Sequence, residues 1–318
     1  TAAWPGGVTG GLLLAVALAA LLILVRGRTA RRVLAVSAAA ALVGVAGVQT
    51  TAPGWPPPDW AVVACDVAQG DALAVRTAPG QAVVIDTGPS GSAADRCLRR
   101  LGVTSIPLLV ISHFHADHVG GLGAVFRGRE IAAVAGPSFA EPAPAHSAVA
   151  GTAGRHGAPL LAVTPGWRYE AGQVRLDVLG PERPQRGTRS DPNNNSVILL
   201  VRVPGLTVLL AGDAEVERQQ AMLASGEPVR ADLLKVPHHG SAYQDPEFLT
   251  AVDPSVALVS VGVDNDYGHP NPSVMHRLGA DGARVFRTDR CGDIAVARGG
   301  TGRLEVTCRG PQPGERPR

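Results

Sequence analysis

The stretch Ser112-His113-Phe114-His115-Ala116-Asp117-His118 carries the most information in this sequence. It directly follows a continuous apolar run at 107–111, which predicts a buried strand. Three imidazoles and a carboxylate at the end of a strand are a ligand set for first-row divalent metals. In an extended chain the first two histidines project to the same side and predict one metal position, while the aspartate and the last histidine face a second. The alternative is a surface histidine cluster without metal.

Two later segments end predicted strands in the same way. Gly212-Asp213 follows a strand predicted at 208–211, and Lys235-Val236-Pro237-His238-His239-Gly240-Ser241 closes a strand predicted at 232–236. A carboxylate and a histidine pair at such strand ends predict ligands that converge on one rim. A Gly-Asp pair alone is also an ordinary turn, but together with the first cluster it predicts that Asp213 bridges two metals. Bridged metals lie about 3.5–4 Å apart, the spacing that serves hydrolysis of phosphate esters.

Charge is unevenly spread along the 318 residues. The chain has 29 basic and 27 acidic side chains, but residues 1–54 carry four arginines and no acid, which leaves 25 basic and 27 acidic residues after them. This balance excludes a strongly basic nucleic-acid-binding domain. The hydrophobic share of 45% and the charged share of 18% exclude disorder over the whole chain.

The first 54 residues predict one or two transmembrane helices. Residues 6–25 are uncharged and long enough to cross a bilayer core, and a weaker uncharged run at 33–52 follows the arginines between 26 and 32. By the positive-inside rule this arginine loop is cytoplasmic, so that everything after about residue 53 is expected outside the cytoplasm. A cleaved signal peptide and a buried helical hairpin are the alternatives. Because the chain opens with Thr1, we expect a piece of a larger polytopic membrane protein.

The four cysteines fit an oxidising compartment. Cys291 and Cys308 flank two alternating runs that are joined by a glycine-rich turn at 299–302. A hairpin centred between residues 299 and 300 would place these cysteines opposite each other, within reach of a disulfide. Two reduced cysteines on paired strands are the alternative. A bridge between Cys65 and Cys97 then follows only by elimination.

Short strand-like runs, turns and a few helices follow from residue 60. Strands are predicted at 61–65, 72–77, 82–85, 107–111, 197–203, 206–210, 232–236 and 256–261, and helices at 93–101, 119–126, 215–223 and 246–252. The segment 136–158, rich in Ala, Gly and Pro, predicts only a loop or a weak helix. Strand meanders interleaved with helices favour a mixed α/β fold with two sheets over a doubly wound parallel sheet.

These motifs resemble the metallo-β-lactamase superfamily of metal hydrolases, and more particularly the carboxy-terminal domain of the ComEC family of DNA-internalisation competence proteins. Supporting segments lie at 65–72 (CDVAQGDA), 84–88 (VIDTG), 193–196 (NNNS), 264–270 (DNDYGHP) and 287–290 (RTDR). The resemblance covers about residues 60–300. It implies an αββα sandwich, two divalent metal ions (Mn, Zn or Mg) in a cleft along its edge, and a role in DNA uptake.

The resemblance also implies roles for individual residues. The implied ligands are His113 and His115 for one metal, Asp117, His118 and His239 for the other, and Asp213 as the bridge. Either His238 or His239 can be the ligand; we prefer His239, which leaves His238 to meet the substrate. Asp71 and Asp86 are expected to orient the ligand loop from behind.

The remaining predicted catalytic residues are Asp117, Lys235, His238 and His269. Lys235 and His238 are predicted to add positive charge near the phosphodiester or to protonate the leaving oxygen. His269 is a candidate phosphate ligand or general acid, and an ordinary loop histidine is the alternative.

Two positions depart from the family pattern. Ala68 stands where the family has glycine, which affects only a turn. The superfamily usually supplies a third histidine to the first metal upstream of the bridging aspartate, but residues 191–196 here are DPNNNS. Asn194 is the candidate weak ligand, which predicts a looser site suited to Mn²⁺ or Mg²⁺. The asparagine run can instead be only a turn before the next strand.

The sequence therefore predicts a transmembrane segment at 1–54, a hydrolase domain at 55–310 and a flexible tail at 311–318. The function expected is that of a membrane-tethered nuclease, with its catalytic domain outside the cytoplasm, which degrades one DNA strand while the other enters a channel. The rest of that channel is the expected partner. One alternative is hydrolysis of another extracellular phosphodiester, and another is a non-catalytic component of the DNA channel.

Overall fold

The computed structural model describes residues 55–300 and 302–310, together with the isolated positions 27, 29, 32 and 36. The chain divides into two compact units, Thr1–Pro53 and Gly54–Arg318, and the fold below is that of the second. The predicted spans within 1–54 and the predicted tail at 311–318 lie outside these described stretches. Among the described residues, no helix is long and apolar enough to cross a membrane.

The first sheet mixes antiparallel and parallel pairing. Its strands are β1 (Trp60–Ala64), β2 (Leu73–Ala78), β3 (Gln81–Ile85), β4 (Ser105–Ile106), β5 (Leu109–Val110), β6 (Glu130–Ile131), β7 (Val134–Pro137), β8 (Leu160–Val163), β16 (Ile294–Arg298) and β17 (Leu304–Cys308). The main path runs β17-β16-β1-β2-β3-β5-β7-β8, and β4 pairs with β3 and β6. From β17 to β3 neighbours are antiparallel, whereas β3, β5, β7 and β8 run parallel.

The second sheet has the same mixed character. Its strands are β9 (Arg168–Ala171), β10 (Val174–Gly180), β11 (Ile198–Val203), β12 (Leu206–Leu210), β13 (Leu233–Lys235), β14 (Val256–Val259) and β15 (Arg284–Arg287). Their spatial order is β15-β14-β13-β12-β11-β10-β9. Strands β12 to β15 are parallel, and β9 to β12 form an antiparallel meander.

Helices connect the parallel strands. They are α1 (Ala93–Arg100), α2 (Ala116–Val119), α3 (Leu122–Phe126), α4 (Ala143–Arg155), α5 (Asp191–Asn194), α6 (Val216–Ala224), α7 (Pro246–Val252), α8 (Pro272–Ala280) and α9 (Thr288–Cys291), with a 3₁₀ turn at Pro237–Gly240. The helix predicted at 246–252 is confirmed. The helix α4, within 136–158, was not predicted beyond a weak helix, because its apolar residues are mostly alanines and give little amphipathic contrast.

Three buried clusters define a four-layer sandwich. The middle cluster packs the two sheets face to face, for example Val62 and Leu73 of the first sheet with Leu199 and Val208 of the second. A second cluster places helices such as α1 and α3 on the outer face of the first sheet. A third places α6, α7 and α8 on the outer face of the second sheet. This is the predicted αββα arrangement of the described domain, since each sheet buries both of its faces.

Both disulfides that the sequence suggested are present. Cys65 bridges Cys97 with a Cα–Cα distance of 5.8 Å, and Cys291 bridges Cys308 at 4.8 Å. The predicted hairpin register is wrong, however, because Ile294 and not Cys291 lies opposite Cys308. Cys291 instead ends helix α9 and reaches the end of β17 from outside the ladder.

The parallel strands bring the site residues to one edge of the sandwich. The segment 112–118 follows β5 of the first sheet, and Asp213, His238 and His239 follow β12 and β13 of the second. Since the carboxyl ends of parallel strands share an edge, loops from both sheets meet there. The antiparallel partner β11 begins at the same edge, which adds the segment 190–197 to the group.

Candidate metal centre

The loop after β5 is held by a buried carboxylate. Asp86 Oδ1 accepts a hydrogen bond from the Ser112 amide at 2.7 Å, and its Oδ2 accepts one from the Ser112 hydroxyl at 2.7 Å. His118 Nδ1 also lies 2.9 Å from Asp86 Oδ2, so that this nitrogen donates and Nε2 is left facing the cleft. Asp86 therefore fixes both the start of the loop and the orientation of a ligand histidine, which is the supporting position expected for it.

Asp213 is held close to the same loop by a glycine. Gly212 has φ +51°, and a Cβ added there would lie 2.8 Å from the Ser196 Cβ and 2.9 Å from the Ser112 Cβ. Only glycine fits this contact between the β12 end and the loops before β11 and after β5. The Gly-Asp pair is thus a tight turn that also aims a carboxylate into the cleft.

Four side chains converge as the sequence predicted for the second metal position. The nearest ligand atoms of Asp117, His118, Asp213 and His239 all lie within 4.8 Å of one another. His118 Nε2 is 3.3 Å from Asp213 Oδ2, and His239 Nε2 is 3.4 Å from the same oxygen and 3.2 Å from Asp117 Oδ2. This is a compact set of two imidazole nitrogens and two carboxylates.

The residues predicted for the first metal position, His113 and His115, lie beside this cluster. His113 Nε2 is 3.0 Å from His115 Nδ1, and the His113 ring centroid is 4.1 Å from that of His118. His115 and Asp213 line a common cleft of about 330 Å³, together with Asp117, His239 and His269. His115 therefore lines the cleft with the carboxylate predicted to bridge, and His113 lies directly beside His115.

The two adjacent histidines, His238 and His239, lie in different environments. His239 is buried, and its Nδ1 donates to the Ser260 carbonyl at 3.0 Å, which leaves Nε2 facing the carboxylates. His238 is only partly buried, with Nε2 3.9 Å from Asp213 Oδ2 and Nδ1 3.1 Å from Glu215 Oε1. His239 therefore lies within the cluster of candidate ligand atoms, and His238 lies at its rim.

Unsatisfied buried atoms indicate that this cluster fits metal ions. Asp213 Oδ1 and His118 Nε2 are buried and make no hydrogen bond within the described part of the chain. Buried polar atoms are normally paired, and a lone pair left free among nitrogen and oxygen donors is suited to a cation. The residues present therefore fit divalent metals at this edge.

The charges in the cluster favour positive charge between its members. Burial alone would raise the pKa of Asp213, but His239 and His118 hold this pKa well below its usual value. Burial alone would lower the pKa values of His118 and His239, but Asp213 and the supporting carboxylates raise both well above the usual range. The field that favours a proton on these imidazoles would equally favour a metal cation in the place of that proton.

Lys235 does not lie in the cleft, as its predicted catalytic role would require. Its side chain is 2% exposed and forms a buried ion pair with Asp71, and it does not line the cleft. Asp71 Oδ1 in turn lies 3.4 Å from His239 Nδ1. The catalytic role predicted for Lys235 is therefore corrected to a structural one, and the Asp71 side chain lies beside Lys235 and His239.

His269 does line the cleft. Its ring centroid lies 5.2 Å from that of His238, and Asn265 holds its backbone through hydrogen bonds to both its amide and its carbonyl. Burial and the neighbouring His238 and His239 lower the pKa of His269 to about 4. A neutral imidazole at neutral pH can donate a hydrogen bond to a phosphate oxygen, but it is a poor general acid.

Asn194 does not reach the cleft. Its Oδ1 accepts hydrogen bonds from the amides of Glu215 and Arg218 at 3.0 and 3.3 Å, and its Nδ2 donates to Glu217 at 3.2 Å. The side chain thus satisfies donors at the start of helix α6, as capping groups do. The prediction that Asn194 is a weak metal ligand is corrected, and its neighbour Asn193 lines the cleft instead.

Two residues at this edge, Asn193 and Glu215, are not among the site residues that the sequence predicts. Both are buried, and Asn193 Nδ2 donates to Glu215 Oε1 at 3.3 Å. The acid two residues after Gly212-Asp213 was a signal that could have drawn attention to Glu215. Three consecutive asparagines gave no such signal, since only the turn decides which of them points inward.

Comparison with known proteins agrees with this geometry. The family model of the metallo-β-lactamase superfamily matches residues 65–262. Curated relatives include ComE operon protein 3 of Bacillus subtilis, 29% identical over 250 residues (72% of this chain and 32% of that protein). Another is Competence protein ComA of Neisseria gonorrhoeae, 32% identical over 248 residues (76% of this chain and 33% of that protein). The chain spans about a third of the length of these relatives.

A solved structure shares the fold. CmlA, a diiron β-hydroxylase from Streptomyces venezuelae, superposes with a TM-score of 0.53 at 15% identity, over 76% of this chain and 55% of that one. At this identity the likeness establishes only the fold. The family match covers more than half of the chain, and the ligand cluster lies at the strand ends where the sequence placed it. The chain belongs to the metallo-β-lactamase superfamily, and its curated relatives include two proteins of the ComEC family, ComE operon protein 3 and Competence protein ComA.

Proposed function

We propose that this chain is a two-metal phosphodiesterase that hydrolyses DNA, degrading one strand during DNA uptake. The observation that carries the proposal is the position of Asp213, a buried carboxylate that lies among Asp117, His118 and His239 and has one oxygen unpaired. His113 and His115 would hold one divalent metal, Asp117, His118 and His239 the other, and Asp213 would be shared. Two such cations bound together lower the pKa of water and neutralise charge on a phosphodiester.

The chain's own residues position the substrate. His238 and His269 lie at the rim of the cleft, with ring centroids 5.2 Å apart, where a phosphodiester next to the ligand cluster would meet them. As a neutral imidazole, His269 would donate a hydrogen bond to a phosphate oxygen. Asp86 and Asp71 keep His118 and His239 in the orientation that leaves their Nε2 atoms facing Asp213.

DNA is favoured as the substrate by the relatives and by one side chain. The relatives named above are described as competence and ComE operon proteins. Tyr267 lines the cleft, is 73% exposed, and its ring centroid lies 5.7 Å from that of His269. An exposed aromatic ring beside a phosphodiester site can stack on a nucleobase. A lipid or sugar phosphodiester has no base for such stacking.

The proposed setting is the outer side of a cell membrane. The predicted spans within residues 1–54 would tether the hydrolase domain, and the arginines between 26 and 32 would keep their loop in the cytoplasm. The two disulfides agree with an oxidising space. The partners would be incoming DNA and the remainder of a DNA-uptake channel, which this chain would join as one part.

A second candidate is hydrolysis of another extracellular phosphodiester. Its support is the charge balance after residue 54, with 25 basic and 27 acidic residues, because DNA-binding surfaces usually carry an excess of positive charge. In that case small diesters would be cleaved and DNA would not. A channel component without catalysis would cleave neither.

The test compares matched carboxylate variants of the purified chain. Asp213→Ala should abolish cleavage of labelled DNA and of a small aryl phosphodiester, and should lower the bound metal measured by elemental analysis. Asp281→Ala, which removes an exposed carboxylate beyond helix α8, is the control and should change neither. Full cleavage by the Asp213 variant, or no cleavage of either substrate by the metal-loaded chain, would refute the proposal.

A further inference from the structure

The three consecutive asparagines before β11 point in three different directions. Asn194 is engaged at the start of helix α6, as described above. Asn195 Oδ1 accepts from the Gln185 amide at 2.8 Å, and its Nδ2 donates to the carbonyls of Gln185 and Asp191 at 2.7 Å each. Asn193 is 4% exposed, and its Oδ1 makes no hydrogen bond within the described residues. Of the three amide oxygens, that of Asn193 is the one left without a donor.

The orientation of the Asn193 amide is determined by Glu215. The Asn193 Nδ2 lies 3.3 Å from Glu215 Oε1, and a carboxylate oxygen can only accept. If the amide were rotated by a half turn, two oxygens would face each other in a buried space. The glutamate therefore selects the rotamer in which Nδ2 faces Glu215 and Oδ1 is left unpaired.

The free oxygen belongs to a residue that lines the cleft. Asn193 lines the cleft together with His115 and Asp213. The first metal position has two histidines and the shared aspartate, whereas the superfamily pattern has one more nitrogen there. A buried carbonyl-type oxygen without a donor is a hard ligand for a divalent cation.

We propose that Asn193 Oδ1 completes the first metal position with His113, His115 and Asp213, and that Glu215 is the positioning residue that aims it. The inference rests on the metal-dependent site of the proposed function. With an amide oxygen in place of an imidazole, this position should bind metal less tightly than the one at Asp117, His118 and His239. Its donor set is also harder in the acid–base sense. The first position should therefore prefer Mn²⁺ or Mg²⁺, while the second holds Zn²⁺ or Mn²⁺ more tightly.

The test is calorimetric titration of the metal-free full chain with MnCl₂ and, separately, with ZnCl₂. Wild type should show one tight and one weak Mn²⁺ step. Asn193→Ala should raise the dissociation constant of the weak Mn²⁺ step by at least about tenfold and leave that of the tight step unchanged. Asn193→His should tighten the Zn²⁺ affinity of the weak step. Asn194→Ala, whose folding is checked by thermal melting, is the matched control and should keep both Mn²⁺ steps.

Two variants test the positioning role. Glu215→Leu removes the acceptor and frees the amide to rotate, so it should weaken the weak Mn²⁺ step. Glu215→Gln can still accept from Asn193 Nδ2 and should restore that step. An unchanged weak step in folded Asn193→Ala would overturn the inference, as would two equally tight steps in wild type. Neither result touches the proposed function, which fails instead if the loaded chain cleaves no phosphodiester.

Discussion

Left-handed backbone conformations are concentrated around the cleft. Among the described residues, the non-glycine positions with positive φ are Ala68 (64°), Asp86 (58°), His238 (46°), His239 (53°) and Asp253 (50°). All but the last belong to the site or to the loop beside it. Such conformations cost free energy and persist where the surrounding structure holds them in place. Here they aim one supporting carboxylate and two histidines at the same edge.

Ala68 gives the simplest test of this cost. It is exposed, and its φ of 64° favours glycine, the residue of the family pattern at this position. Ala68→Gly should raise the free energy of unfolding by about 1 kcal/mol, because it removes the clash of a β-carbon with the backbone in the left-handed region. Urea denaturation of both forms measures the difference. A destabilised glycine variant would mean that the alanine side chain stabilises the turn by more than its left-handed backbone conformation costs.

Asp86 tests the support of the metal ligands. In Asp86→Asn the group facing His118 Nδ1 can become an NH₂ donor, which shifts the imidazole proton to Nε2 and removes that nitrogen as a ligand. The tight Mn²⁺ step should weaken by about 10- to 100-fold. Calorimetric titration measures it, with thermal melting as the check on folding. Unchanged affinity would show that Asp86 does not determine which nitrogen of His118 carries the proton.

At the scale of elements, the ion pair between Lys235 and Asp71 joins the two sheets. Lys235 ends β13 of the second sheet, and Asp71 lies just before β2 of the first. Lys235→Met would leave a buried carboxylate without its partner and should lower the free energy of unfolding by about 3–5 kcal/mol. The double variant with Asp71→Asn should recover most of this loss. Equal stability of the single variant and wild type would contradict the pairing.

The pair of Lys235 and Asp71 also makes the free energy of unfolding depend on pH. Burial would raise the pKa of Asp71, but Lys235, helped by His239, lowers it from 3.8 to about 2. A carboxyl group whose pKa is lower in the folded state stabilises the fold above the unfolded pKa and loses this contribution as protons bind. Wild type should therefore lose stability as the pH falls from about 4 towards 2. A flat denaturation midpoint over that range would argue against a charged Asp71.

The elements that the sequence predicted well are those with local signals. The hairpin at β11 and β12, the helix α7 and the strand ends carrying the histidines follow from alternation, apolar runs and turn residues. The short helix α5 and the strands β9 and β10 carried no comparable pattern. The register of the last hairpin was wrong because its glycine-rich turn does not specify where pairing begins.

For the site, residue type was more informative than position. Histidines and aspartates at strand ends identified the ligand cluster, because parallel strands bring their carboxyl ends together. Lys235 and Asn194 were assigned wrongly, since both assignments depended on the direction of a side chain in a turn or on a strand face. Which of three adjacent asparagines faces the cleft is decided by contacts with Glu215 and helix α6, and no short-range pattern encodes such contacts.

At the scale of the whole molecule, the site depends on both halves of the domain. The first sheet supplies His113, His115, Asp117 and His118, and the second supplies Asp213 and His239. Neither half alone would hold a complete set of ligands for either proposed metal position, so metal binding and the face-to-face packing of the sheets should stabilise each other. The disulfide between Cys65 and Cys97 closes the loop around the first sheet's early strands.

The most direct test of the central claim is the rate of DNA cleavage as the metal-free full chain is titrated with Mn²⁺. Two metals sharing Asp213 should be needed, so the rate should stay near zero while the tight position fills and rise as the weak one does. Asp281→Ala should follow the same curve, and Asp213→Ala should give no rise. Full activity with one Mn²⁺ bound, or no cleavage with both positions filled, would contradict the account.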